Sequence, residues 1–307
     1  MSKKNKKKKN SGPPQALIRL SQCMIVKNEE KNIEKALSWG RKVACEQIIV
    51  DTGSTDRTIE IAERMGAKVF HFEWIDNFAA AKNYAIEQAS GNWIAFLDAD
   101  EYFTDTDAEK LIIFLKRIQK DPEMRQNYLA LNTSLANIDT EGNTVSVIDQ
   151  ERIFRNLPNI RYKWRIHEQL DISVDNIVMV DEIQIKHTGY TDEALIETGK
   201  LERNARLLRE ELKTTPNDIT LKAYLADSLK RSENENDREE ADKLFTEVMT
   251  SEEAIIPDLL RKAYIHFMKK AMQANDTPKC ISLCEQAMRA IPGDEELKKI
   301  YNDLVGK

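Results

Sequence analysis

This chain is poor in the features that would tie it to secretion or to a membrane. Its 307 residues include four cysteines, Cys23, Cys45, Cys280 and Cys284, with no Cys-x-x-Cys pair among them. That removes a disulfide framework and a cysteine zinc site, and buried, reduced thiols are the expectation. Cys280 and Cys284 share a helical face without making a metal site. No apolar run approaches the roughly 18 residues that a membrane span needs. The stretch from Ala16 to Val26 is broken by Arg19, Ser21 and Gln22, so it does not read as the apolar centre of a signal peptide. Positive charge is also short. The net charge is −6, although Met1 to Asn10 hold six lysines and no acid. The remainder is more acidic still, which gives nucleic-acid binding no support. The lysine tail reads as a solvated arm, and its functional reading is peripheral attraction to anionic lipid at the inner face of a membrane. The expected location is the cytoplasm.

What is present suits a soluble globular chain: 41% hydrophobic and 32% charged residues, at a length sufficient for two domains. After a linker-like Gly12-Pro13-Pro14, strand and helix signals alternate. Leu20–Val26, Gln47–Val50, Lys68–Phe72 and Trp93–Leu97 read as strands. Glu30–Trp39, Asp56–Met65 (with Thr55 as its cap), Phe78–Ala89 and Asp107–Gln119 read as helices. That alternation predicts βαβ units and a mostly parallel sheet. Tyr128–Leu135 and Thr144–Ile148 are expected as strands around the turn Thr140–Asn143, with Arg152–Arg155, Gln169–Ile172 and Ile183–Lys186 adding mixed strands. Past Tyr190 the pattern is helical only, opening with one helix from Glu193 to Thr214. There Ala241–Met249 matches Cys280–Met288 at an offset of 39, close to the period of tetratricopeptide-like helical pairs. The expected division is 1–18 basic tail and linker, 19–190 α/β domain and 191–307 helical domain.

Chemistry gathers at the strand ends. In an open α/β sheet, ligands collect outside the carboxyl ends of strands. Here those ends carry Asn28-Glu29-Glu30, then Asp51 followed by Gly53 and a helix N-terminus, and finally Asp98-Ala99-Asp100; Lys82 lies on an intervening helix. Two carboxylates one residue apart suit a hard divalent cation and the phosphates it neutralises.

Four ordered segments, Met24–Glu30, Ile48–Asp56, Phe78–Asn83 and Leu97–Glu101, together resemble family 2 glycosyltransferases of the GT-A fold. The subgroup most resembled is a bacterial one with a tetratricopeptide-like C-terminus. The resemblance implies a Rossmann-like mixed sheet and an inverting, metal-dependent transferase that uses a UDP-sugar with Mg2+ or Mn2+. It implies that Asp51 meets the base of the nucleotide, with Asn28 and Glu29 nearby. Asp98 would serve the ribose or metal-bound water, beside Ala99, and Asp100 would ligate the metal. His187 would be a further metal ligand, with His167 as the alternative. Lys82 would meet nucleotide or phosphate charge, where family members often carry arginine. For the general base Glu168 is favoured, with Asp149 and Glu151 as rivals. The acceptor would be a peptide, a glycan or a lipid-linked group, and the helical part would bind a protein partner, the acceptor or a second copy. A nucleotidyltransferase is disfavoured, since an acidic Asn28-Glu29-Glu30 loop stands where a Gly-rich, basic one is expected. A non-enzyme reading makes the chain a weak nucleotide binder with a helical scaffold.

Overall fold

The computed structural model describes residues 17–188 and 198–306. The basic tail as far as residue 16, the boundary near 190 and the start of the long helix lie outside them. The described residues form two compact units. One runs to Trp164 and resumes at Glu168; the other takes Arg165–His167 together with the C-terminal helices.

The first unit holds an eight-stranded sheet. Its parallel half comprises β1 (Leu20–Val26), β2 (Glu46–Asp51), β3 (Lys68–His71) and β4 (Trp93–Phe96). Its mixed half comprises β5 (Glu101–Phe103), β6 (Ala130–Ile138), β7 (Thr144–Arg155) and β10 (Ile177–His187). The order is β3-β2-β1-β4-β7-β6-β10-β5. Strands buried on both faces need apolar residues at every position, and β4 shows it. Trp93, Ala95 and Leu97 enter one core with Phe103, Leu111, Leu115 and Ile185. Ile94 and Phe96 enter the opposite core with Cys23, Ile48, Phe154 and Tyr162. The surrounding helices are α1 (Ile33–Ser38), α2 (Gly40–Val43), α3 (Thr58–Arg64), α4 (Phe78–Glu87), α5 (Asp105–Lys120) and α6 (Pro122–Asn127).

Several elements depart from expectation for local reasons. The helix expected over Glu30–Trp39 starts late, because Asn28 is left-handed at φ 58° and Glu29 opens a turn that accepts the Asn32 and Ile33 N–H groups. It breaks before Gly40, where any Cβ would collide with the buried Gln22–Gln47 amide pair. Thr55 does not cap α3. Its N–H donates to Asn28 Oδ1, and Asp56 accepts the Thr58 N–H instead. Arg152–Arg155 is the end of the long β7, not a separate strand. Gln169–Leu170 (β9) leaves the main sheet and pairs with Tyr162–Lys163 (β8) in a small ribbon. Cys45 is exposed, while the other three thiols are buried as expected.

The second unit contains α7 (Thr198–Leu212), α8 (Ile219–Leu229), α9 (Glu235–Thr250), α10 (Pro257–Gln273), α11 (Thr277–Ala290) and α12 (Glu295–Val305). Successive helices pack on one another, and α8 also packs on α10. The matched positions are the packed ones: Ala241, Phe245 and Val248 on α9, and Cys280, Cys284 and Ala287 on α11, are all buried. The junctions repeat as well. Asp218 accepts the Leu221 N–H and Asp294 the Leu297 N–H, each capping the next helix at 3.0 Å. Among the described residues, no helix is long and apolar enough to cross a membrane.

Candidate active site

The carboxyl ends of β1 and β2 are laced into one loop pair. Asn28 donates its N–H to Ser54 Oγ at 2.9 Å and accepts the Thr55 N–H at 2.8 Å. Glu29 is held through its N–H by Thr58 Oγ1 and through its carboxylate by Asn32. Burial pushes the Glu29 carboxyl above its ordinary range, and the charges of Asp100, Asp56 and Asp98 push the same way. Glu29 therefore shares an electrostatic neighbourhood with the Asp-x-Asp pair. Asp51 is buried at the end of β2, where its two oxygens accept the Gly53 and Ser54 N–H groups. Gly53, at φ 110°, gives the turn a conformation that a side chain would strain. Asp51 Oδ1 keeps a second lone pair for a ligand, while His71 Nδ1 stands 3.5 Å from Oδ2.

β4 hands over to β5 through a tight turn. Asp98 C=O accepts the Glu101 N–H at 3.0 Å, and the Glu101 carboxylate accepts the Asp98 N–H at the same length. Ala99 turns its methyl into the core with Met24 and Ile33, so only its backbone is available to a ligand.

A charged network fills the space beside this turn. Lys82 reaches from α4 with 2% exposure and pairs with Glu168 at 2.5 Å, while facing Asp98 at 3.6 Å. Burial alone would lower the Lys82 ammonium, but Asp98 and Glu168 more than reverse that and hold it above its ordinary value. Arg152, on β7, donates from one nitrogen to both Asp98, at 2.8 Å, and Glu101, at 2.5 Å. Burial would raise the Asp98 carboxyl; Arg152 and Lys82 override it and hold Asp98 well below the usual carboxylate range. Lys82 is thus a clamp between two carboxylates.

Asp100 lies on the other side of the turn. β10 runs antiparallel to β5 and brings His187 opposite Glu101, so that His187 Nε2 stands 3.1 Å from Asp100 Oδ2. His187 Nδ1 lies 2.6 Å from Asn137 Oδ1, which fixes the ring. Burial lowers the His187 pKa, but the hydrogen bond and charge of Asp100 raise it further, for a net upward shift. Among the described residues, no three His, Cys, Asp or Glu side chains converge as a metal cluster. Asp100 and His187 nonetheless fit a divalent ion in kind. An ion that completes its shell with phosphate and water needs only one or two protein ligands, and a metal-bound histidine donates its other N–H to a partner such as Asn137.

Other expected residues go elsewhere. His167, at φ 53°, stacks on Tyr224 within the helical unit at 4.0 Å between ring centres, so His187 and not His167 is the histidine beside Asp100. Asp149 is exposed on β7 opposite Ser134. Glu151 is half-buried, and burial raises its carboxyl, but neither it nor Asp149 joins the Lys82 network. Arg152, Glu101 and Asn137 were not anticipated. The only sequence signal for them was Glu101 directly after the Asp-x-Asp pair and the basic run beginning at Arg152.

Residues 21–128 match the model of the family described as Glycosyl transferase family 2. A protein of Synechococcus elongatus named as TPR repeat-containing is 34% identical over 226 residues, spanning 70% of this chain and 52% of that protein. The SPbeta prophage-derived glycosyltransferase SunS of Bacillus subtilis is 24% identical over 198 residues, 63% of this chain and 45% of that protein. The chain thus spans about half the length of these curated relatives. The crystal structure of S. aureus TarS 1-349 in complex with UDP-GlcNAc aligns with a TM-score of 0.47 and 15% identity, over 89% of this chain and 92% of that one.

Proposed function

Since the chain carries a family 2 glycosyltransferase domain, we propose that it transfers a sugar from a UDP-sugar to a nucleophilic acceptor with inversion at the anomeric carbon. The observation that carries this reading is the division of the Asp98–Glu101 turn. Asp98 faces the cations Lys82 and Arg152 on one side, while Asp100 meets His187 on the other. Asp51 and Glu29, at the neighbouring strand ends, are the groups proposed for the nucleoside, through the lone pairs that the loop leaves free.

Asp100 and His187 are the residues that would hold Mg2+ or Mn2+, with Asp98 near its water. The ion, when bound, would stabilise the negative charge that grows on the departing diphosphate. Glu168 is the proposed base. It takes the acceptor proton as the new bond to the anomeric carbon forms on the face opposite the breaking bond to the diphosphate. One buried cation, Lys82, ties that base to the donor-side carboxylate, so the two are held in a fixed relation. The acceptor is proposed to be a peptide, a glycan or a lipid-linked group, with the tetratricopeptide-like helices holding it or a protein partner.

The test is a panel of UDP-sugars with Mn2+, with and without chelator, read as UDP release, followed by mass spectrometry of what is modified in lysate. Metal-dependent release above a no-enzyme control is expected for one donor. UDP binding without turnover against any donor, with lysate as the acceptor source, would replace the transferase with a nucleotide-binding scaffold.

A further inference from the structure

Arg152 and Glu101 form a closed ring with the Asp-x-Asp turn. The Arg152 guanidinium bonds both Asp98 and Glu101. Glu101 accepts the Asp98 N–H, and Asp98 accepts the Glu101 N–H. Glu101 is 3% exposed. The register that delivers Arg152 is itself specified, because β4 pairs antiparallel with β7 and sets Ala95 opposite Ile153. Arg152, the residue before Ile153 on β7, then reaches the turn just beyond the end of β4. Nothing in core packing requires a buried guanidinium here, and a buried ion pair is a weak source of stability compared with apolar residues of similar size. What the ring does is fix the Asp98 and Glu101 ends of the turn, whose Asp100 C=O is held separately by Thr188.

We propose that Arg152 and Glu101 are a positioning pair, which locks the Asp98–Glu101 turn so that both aspartates are set for a nucleoside diphosphate and its divalent cation. The inference rests on the transferase reading above. Both bonds leave a single guanidinium nitrogen, Nη2, while the buried Nε has no partner. A lysine ammonium can therefore reproduce part of the lock with its charge, whereas a glutamine amide, neutral and shorter, leaves the two carboxylates without a cation.

The experiment titrates UDP with Mn2+ into the full chain by calorimetry, for wild type and for R152Q, R152K and E101Q/R152Q, beside thermal melting and UDP release at varied Mn2+. R152Q should weaken UDP–Mn2+ binding by about 10- to 100-fold, the usual effect of losing a group that orients metal ligands. R152K should recover at least half of that loss on a logarithmic scale. The double variant, in which no buried charge is left unpaired, should melt like wild type yet bind as weakly as R152Q. In turnover the half-saturating Mn2+ should rise more than kcat falls, which a merely destabilised protein would not show. Wild-type affinity in both R152Q and the double variant would overturn the positioning role while leaving the transferase reading in place. A wild-type chain that binds no UDP with Mn2+ would overturn both.

Discussion

His187 and Asp100 stand 87 positions apart in the chain and 3.1 Å apart in space, joined because β10 closes the sheet antiparallel to β5. The contact leaves Asp100 partly open, with its side chain 31% exposed, and the turn beneath it is held by Thr188 through the Asp100 C=O. Asp100→Ala should therefore remove a ligand without unseating the turn. Metal-dependent UDP release is expected to fall by at least about 100-fold, the scale on which single transition-state stabilisers act, with melting within a few degrees of wild type. Normal turnover by that variant would end the metal assignment.

Glu168 is 15% exposed at its side chain and already carries a cation, so its neutral isostere tests chemistry with little change in shape. Glu168→Gln is expected to bind UDP within a few-fold of wild type and to transfer about 10²- to 10⁴-fold more slowly. Equilibrium binding and single-turnover rates separate the two effects. Transfer at the wild-type rate would move the base elsewhere, to Glu151 or Asp149.

Local patterns carried much of this fold. Each strand of the parallel half announced itself by an apolar run ending in polar loop residues, and Asp51, Asp98 and Asp100 followed directly from those ends. The helical repeat is equally legible, since a spacing of 39 aligns Ala241 with Cys280 and Phe245 with Cys284, and all four are buried. What stayed hidden depends on registers that no local pattern encodes. Arg152 meets Glu101, 51 residues away, only through the β4–β7 pairing. Asn137 meets His187 only because β6 and β10 run parallel past an irregularity between Val180 and Gln184. The resemblance placed Lys82 near nucleotide or phosphate charge, but its enclosure by the aromatic rings of Phe96 and Tyr162 and its pairing with two carboxylates come from tertiary packing that no local pattern encodes. Thr55 looked like a cap because hydroxyls before helices usually are, but Asn28, a left-handed residue on a different loop, had already taken its N–H.

The Lys82 clamp is open to a double-mutant cycle. Lys82→Met leaves Glu168 and Asp98 without their shared cation, and breaking a buried pair by removing one partner typically costs about 3–5 kcal/mol. Lys82→Met with Glu168→Gln should lose less than the two single losses added together, with a coupling of at least about 1 kcal/mol. Urea unfolding of the full chain reads all four corners. Strictly additive losses would mean that the two groups do not interact in solution.

Away from the site, Glu46 makes a pH test of the fold itself. Its side chain is 5% exposed; one oxygen accepts from Ser21 Oγ and from the N–H and Oγ of Ser90, and the other pairs with Lys68 at 2.7 Å. Burial alone would raise this carboxyl, but those bonds outweigh it and bring the folded-state pKa down to about 2 from an ordinary 4.5. A depressed pKa means that the unfolded chain takes up the proton first as pH falls. The stabilisation is thus fully present above about pH 4.5 and is lost as the solution is acidified toward the folded value, amounting to roughly 3 kcal/mol at most. Glu46→Gln should be the less stable protein near neutrality, and its stability should fall less steeply between about pH 5 and pH 2.5. The gap between wild type and variant should therefore narrow toward zero on acidification, as read by urea midpoints at each pH. A gap that keeps its size down to the acid end would assign Glu46 a packing role in which ionisation plays no part.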